Sequence, residues 1–188
     1  MKRTWILLVL TTMLALAVAA LSGAAAPSAG EREAREAREI QIGFAIAPVP
    51  LNLQHKNLGL VGLGSYIVNA QASCADCHSC PTYAPGHNPF MGQPKQLNPV
   101  NYLAGGVPFG PIISSNITPD KSGRPAGLTF KQYLHVLRTG RDPVAGDLFQ
   151  VMPWPAYQSM TLHDIEATYE YLRAIPSAQP GTCSGSGQ

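Results

Sequence analysis

Cys74-Ala75-Asp76-Cys77-His78 is the stretch on which the reading of this chain turns. Two thiols three residues apart, followed at once by an imidazole, form the C-x-x-C-H arrangement that marks covalent attachment of a c-type haem, and the chain carries it once. Each residue type has a chemical task. The thiols add to the haem vinyl groups as thioethers, and the adjacent imidazole reaches the iron as proximal ligand. The same residues also contain a bare C-x-x-C, which zinc or thiol redox chemistry uses as well, so the surrounding sequence has to decide.

The N-terminus supplies a compartment. Met1-Lys2-Arg3 precede an apolar run over residues 5–21 and then Ser22-Gly23-Ala24-Ala25-Ala26, the basic, apolar and small-residue order of a secretory signal. Residues 1–26 are read as a cleaved export signal to the periplasm, with cleavage among residues 23–29; retained, the run would serve as a membrane anchor. Haem c is attached after export, whereas zinc and iron–sulfur sites are normally filled in the reducing cytoplasm, so signal and motif support each other. Removing the signal leaves about 160 residues, enough for one domain with its own core. The expected organisation is a charged tether and extended lead-in at 27–56, one domain at 57–178 and a Gly/Ser-rich tail at 179–188. Net charge is only +2, and two of the basic residues, Lys2 and Arg3, belong to the signal. Scattered basic residues without interleaved aromatics exclude nucleic acid as a partner class.

The regular structure reads as helical. Residues 31–39, Glu-Arg-Glu-Ala-Arg-Glu-Ala-Arg-Glu, form a solvated helix or a disordered tether with charge pairs at i,i+4. Residues 40–53, with Pro48 and Pro50, read as extended. Leu63, Tyr66, Ile67 and Ala70 recur at helical spacing, which predicts a helix ending just before Cys74. Residues 79–127 are rich in Pro, Gly and Asn and predict ordered loops, for which a porphyrin face can serve as core. Thr129-Phe130-Lys131-Gln132 is a capping box before an apolar stripe of Phe130, Tyr133, Leu134 and Leu137, and Gly140 stops that helix. Thr161 opens a last helix with Leu162, Ile165, Tyr169 and Leu172 on one side.

With His78 on one face of the iron, the candidates for the other are Met91, Met152, Met160, His55, His87, His135 and His163. Met152 is preferred. It stands in Val151-Met152-Pro153-Trp154-Pro155 between the two capped helices, and the prolines hold the backbone so that ordering a thioether costs little. Met91 is the reserve, Met160 reads as a gap-filling core residue, and bis-His ligation stays open. Methionine ligation favours a raised potential and an iron with no vacant site, which suits electron transfer. Trp154 either donates its indole N–H to a haem propionate or packs as a buried aromatic. Arg138 either meets a propionate or is solvated at a helix end. Asn116, Thr118 and Asp120 read as turn and capping residues.

Gly64-Ser65-Tyr66, the C-x-x-C-H, Gly105-Gly106, Pro108-Phe109-Gly110, Ser115-Asn116-Ile117-Thr118-Pro119-Asp120, Leu137-Arg138-Thr139-Gly140, Met152-Pro153 and Tyr169-Glu170-Tyr171-Leu172 follow one another over residues 60–176. In that order and spacing the chain resembles the haem modules of alcohol and sugar dehydrogenase cytochrome c subunits. The resemblance implies an all-α, class I-like cytochrome c fold, with helices and long loops packed around one covalently bound haem c and the terminal helices crossing. It also implies Met152 as distal ligand. Those subunits string three modules together, whereas this chain has one C-x-x-C-H. The expected function is single-electron transfer, either as a free periplasmic carrier or as the electron-accepting subunit of a membrane-associated dehydrogenase. A terminal oxidase is a further partner class.

Cys80 and Cys183 remain, an even pair in an exported protein, and they are expected to form a disulfide. It would close a loop of about a hundred residues, worth roughly 4–5 kcal/mol at most in the chain-entropy model. The rival reading puts Cys74, Cys77 and Cys80 on an iron–sulfur cluster or zinc, but it leaves out a fourth cysteine at the usual spacing and gives His78 no role. A catalytic rival, a haem enzyme or gas sensor with a weak or open sixth position, needs Met152 not to ligate.

Overall fold

The computed structural model describes residues 26–183. The apolar run read as an export signal and the last five residues of the tail lie outside the described residues. Two compact units divide between Ala34 and Arg35. In the first, Ser28 and Glu31 cap each other reciprocally: the Ser28 N–H donates to Glu31 Oε2 at 2.7 Å, and the Glu31 N–H to Ser28 Oγ at 3.3 Å. This S-x-x-E box starts helix α1 (Ala29–Ile46). The backbone N–H bond also holds the Glu31 carboxyl below its usual range.

In the second unit, α1 is followed by α2 (Leu58–Tyr66), a π-helical turn (Ile67–Gln71), the short α3 (Cys74–His78), a 3-10 turn (Pro89–Met91), strands β1 (Pro108–Phe109) and β2 (Ile112–Ile113), and helices α4 (Phe130–Thr139), α5 (Trp154–Tyr157) and α6 (Leu162–Leu172). Among the described residues the chain is therefore mostly helical, as expected, with one two-stranded antiparallel ribbon pairing Pro108 with Ile113 and Phe109 with Ile112. Both sequence-read capping boxes are present, Thr129 with Gln132 and Thr161 with Asp164. Gly140 ends α4 at φ 66°, a left-handed position that costs glycine little.

Two readings are corrected. Residues 40–46 are not extended: α1 continues to Ile46, and Val49 is the next buried apolar residue. Pro48 constrains only itself and its predecessor, so nothing prevents helix up to two residues before it. Leu162 is half exposed, at 50%, although it shares a stripe with buried Ile165 and Leu172, because it occupies the first turn beyond the helix contact.

The core lies where α1, α2 and α6 cross. A Cβ on Gly64 would overlap the Ala167 carbonyl, and one on Gly43 would overlap the Gly62 carbonyl, so these helices touch backbone to backbone. Beneath the crossing lies a buried polar knot. Tyr102 Oη donates to Asn69 Oδ1 and lies 3.0 Å from Tyr171 Oη; Asn69 Nδ2 donates to Tyr171 Oη at 3.2 Å and to the Ser65 carbonyl at 3.0 Å; Ser65 Oγ donates to the Gly43 carbonyl at 2.7 Å. Every buried side-chain polar atom among the described residues has a partner, as a buried network must to be stabilising.

The loops are ordered by local bonds. Residues 83–97 make an excursion pinched at its base by a bridge between Tyr83 and Leu97, with Ala84 N–H donating to the Gln96 carbonyl at 3.0 Å. Its tip, the 3-10 turn capped by Asn88, exposes Phe90 and Met91. Asp120 Oδ1 accepts from Ser122 N–H at 2.8 Å, Ser122 Oγ at 2.7 Å and Arg124 N–H at 2.9 Å. Asn116 Oδ1 accepts from Thr118 N–H and Oγ1. These are the turn roles read from the sequence.

Candidate functional site

The π-helical turn after α2 ends at Ala72, and Ser73 then adopts a left-handed conformation, φ 48°, which is strained for a residue with a side chain. That kink separates the motif from α2 and starts α3, so the five residues of C-x-x-C-H occupy a helix of their own. On it Cys74 and Cys77 are one turn apart and His78 follows. All three are half-buried, and neither thiol is in a disulfide.

His78 is held by its ring. Its Nδ1–H donates to the Ser115 carbonyl at 2.8 Å, which leaves Nε2 with its lone pair free. Burial holds the imidazole below its usual pKa, so the neutral, metal-ligating form is favoured. The motif's backbone is fastened too: Gly105 N–H donates to the His78 carbonyl at 2.6 Å, and Leu103 N–H to Ser79 Oγ at 2.9 Å. Burial pushes the Cys74 thiol up to about 12, with no cation acting on it. Cys77 is raised as well, first by burial and then by Asp76. This is the opposite of the electropositive surroundings that activate a redox C-x-x-C.

Four tyrosines from different elements feel Cys74: Tyr102, Tyr133 of α4, Tyr157 of α5 and Tyr171 of α6. Tyr157 is pushed up to about 12, first by burial and then by Cys74 and Cys77, and its hydroxyl donates to the Ala72 carbonyl at 3.3 Å. Helix α5 is thereby brought beside the motif. Asp76 accepts from Tyr83 Oη at 3.0 Å, tying the 83–97 excursion to the motif helix and pushing Tyr83 up to about 12, with burial the larger cause.

Met152 is half-buried two residues before α5, and its carbonyl accepts from Trp154 N–H at 2.8 Å. The Trp154 ring lies directly on Gly140, where any Cβ would overlap it, so its packing role is explicit. Arg138 donates to the Gln158 carbonyl and joins the end of α4 to the end of α5. Met160 packs with Leu63, Ile67 and Ala167, the gap-filling role read for it. Met91 is 68% exposed. His87 bonds to the Pro94 carbonyl, His135 to Thr139 and His163 to Glu36.

Cys80 is fully buried and faces Cys183, with their Cα atoms 5.5 Å apart, within disulfide reach. It does not converge with Cys74 and Cys77. Among the described residues no three His, Cys, Asp or Glu side chains gather as a metal-holding set. The donor chemistry fits a covalently held haem instead: two uncharged thiols one helical turn apart, and a neutral imidazole with Nδ1 engaged and Nε2 free.

Sequence reasoning missed Ser115, because a main-chain acceptor leaves no trace in residue identity. It also missed the Tyr102–Asn69–Tyr171 knot, whose members are up to 102 residues apart.

A small helical domain whose kinked motif helix presents two thiols and an oriented imidazole is the architecture of a c-type haem protein. Comparison with known proteins is specific about which. The chain is 31% identical over 144 residues, 73% of its length, to the alcohol dehydrogenase (quinone) cytochrome c subunit of Gluconacetobacter polyoxogenes. It is 33% identical over 116 residues, 60% of its length, to the fructose dehydrogenase cytochrome subunit of Gluconobacter japonicus, and 31% identical over 116 residues, 62% of its length, to the gluconate 2-dehydrogenase cytochrome c subunit of Pantoea cypripedii. It covers 26%, 20% and 23% of those proteins, so it spans about a quarter of the relatives it matches. What these likenesses show is a cytochrome c module. No family model and no solved structure matches.

Proposed function

We propose that this chain is a monohaem cytochrome c that passes single electrons and takes no part in bond-making catalysis. The observation that carries the reading is the His78 geometry: Nδ1–H on the Ser115 carbonyl at 2.8 Å, Nε2 free, on the same helix as two unpaired thiols. Cys74 and Cys77 would hold the haem as thioethers, and His78 Nε2 and Met152 Sδ would bind its iron. The haem supplies a one-electron couple. The protein orients it, keeps water from it and sets its potential through ligand identity and hydrogen bonding.

Met152 is assigned because the loop read as rigid leads straight into α5, which lies beside Cys74 and Cys77. Trp154, whose ring packs on Gly140, is assigned to a propionate through its indole N–H. The Cys80–Cys183 disulfide is assigned from the Cα separation of 5.5 Å and from export. The location is periplasmic, on the strength of the N-terminal signal; among the described residues no helix is long and apolar enough to cross a membrane. The partner is a dehydrogenase, since the relatives are named as cytochrome subunits of alcohol, fructose and gluconate dehydrogenases.

An optical spectrum with haem quantitation on purified protein tests cofactor, stoichiometry and ligation together. One haem per chain with a low-spin ferric spectrum is expected. Met152→Ala should lower the potential and remove the weak far-red ferric band of a methionine–iron bond; an unchanged band overturns the ligand assignment. A high-spin native ferric protein that binds cyanide readily overturns the electron-transfer reading in favour of a haem enzyme or sensor.

A further inference from the structure

The chain beyond α6 does not leave the domain. Residues 176–183 run back as a strap between the motif and the segment that carries Ser115. At Ala178 the strap exchanges both backbone groups with side chains of that segment: Asn116 Nδ2 donates to the Ala178 carbonyl at 2.7 Å, and Ala178 N–H donates to Thr118 Oγ1 at 3.2 Å. Asn116 Oδ1 is occupied by Thr118, so its amide cannot turn away. Three residues on, Gly181 is wedged between two backbones. Its carbonyl would overlap any Cβ on Gly106, and a Cβ on Gly181 itself would overlap the Cys80 carbonyl, which Asn101 Nδ2 also holds at 3.2 Å. The strap ends at Cys183 beside buried Cys80, two residues after His78.

On its other side the Ser115 segment is fastened to the 103–107 stretch: Gly106 N–H donates to the Ser114 carbonyl at 3.0 Å, and Ile117 N–H to the Leu103 carbonyl at 3.0 Å. Gly105, in the same stretch, holds the His78 carbonyl. The Ser115 carbonyl that accepts the His78 Nδ1–H hydrogen bond is therefore clamped from two directions, and one clamp is the strap. Ser115 itself is exposed, so burial does not fix it.

We propose that the C-terminal strap, locked at Cys80–Cys183 and seated through Asn116, is a positioning element for the proximal ligand. By pressing the Ser115 carbonyl onto His78 Nδ1–H it sets how strongly the imidazole donates to the iron. A firm acceptor on the outer nitrogen raises the basicity of the ligating one and fixes the ring, and hydrogen bonding around a ligand is one of the levers on a haem potential. Greater donation favours the ferric state, so loosening the strap raises the potential. Asn116, Cys80 and Cys183 are positioning residues in this scheme and none touches the iron. The inference rests on the haem reading above.

The test compares wild type with Cys183→Ser and Asn116→Ala, all as haem-loaded full chains. Haem per chain, midpoint potential and exchange of the His78 ring N–H by NMR of the reduced protein are the readouts. Both variants should keep one haem. Each should shift the reduced-to-oxidised ratio at fixed mediator potential by about threefold toward reduced, about 28 mV for a one-electron couple. Their ring N–H should exchange at least about tenfold faster, since an outer-shell partner of a ligand has effects of that order. Thr129→Ala, which weakens the α4 cap and removes none of the strap's bonds, should lower stability without moving the potential. Should Cys183→Ser fail to accumulate, Asn116→Ala alone decides. A haem-loaded variant with wild-type potential and wild-type N–H exchange overturns the strap's role and leaves the haem reading standing; a wild-type chain without covalent haem overturns both.

Discussion

The helix crossing and the motif side of this molecule are built by opposite means. At the crossing, glycines bring three helices into backbone contact, and side chains up to 102 residues apart meet in one buried knot. Around the motif, order comes from short-range bonds, with Asp120 and Asn88 capping turns within five residues, and from backbone fasteners such as Gly105 N–H on the His78 carbonyl. The crossing sets the stability of the module, whereas the motif side sets the geometry of two thiols and an imidazole. Damage to the first should appear in unfolding energy and damage to the second in redox properties.

Gly64→Ala should give the largest effect. Its new Cβ meets a backbone carbonyl that cannot swing aside, so a loss of about 3–5 kcal/mol in denaturant unfolding is expected. A loss under 1 kcal/mol would show that the crossing is looser than described. Asn69→Leu comes next. It keeps the volume but leaves the Tyr102 and Tyr171 hydroxyls without their shared partner, for about 2 kcal/mol, with little change in the visible spectrum of the haem form. A large spectral shift would mean that the two sides are not separable. Asp120→Asn is the smallest. Hydrogen bonds from the Arg124 N–H and then the Ser122 hydroxyl hold this carboxyl below the usual aspartate range, so its stabilisation is present above that range and fades as pH falls through the lower folded value. The variant should show a shallower loss of stability on acidification below the usual aspartate range; identical acid-unfolding curves would remove Asp120 from the account.

The same division explains what could be read from the chain. Both capping boxes and the Gly140 stop are local patterns and appear where the sequence put them, whereas the helix expected to reach Cys74 ends as an α-helix at Tyr66 and hands Ile67 and Ala70 to a π-helical turn. The motif residues were legible because their chemistry demands fixed spacing. Residues 40–46 were not, since two nearby prolines outweighed an apolar stripe, Ile40, Gly43 and Phe44, that meets α2. The knot was hidden for a related reason. Tyr102 sits in a loop-like stretch, and nothing near it announces partners 33 and 69 residues away. Ser115 acts through an atom that every residue possesses.

The excursion over residues 83–97 has a use for anyone who handles this protein. Its ends meet at the Tyr83–Leu97 bridge, and its tip is a solvent-facing 3-10 turn, so the fold does not depend on how much chain lies between them. Lengthening such a closed loop costs only about 0.6 kcal/mol per doubling. An affinity peptide or fluorophore site spliced in after Gly92 would ride on the same molecule as the C-x-x-C-H while leaving both chain termini free.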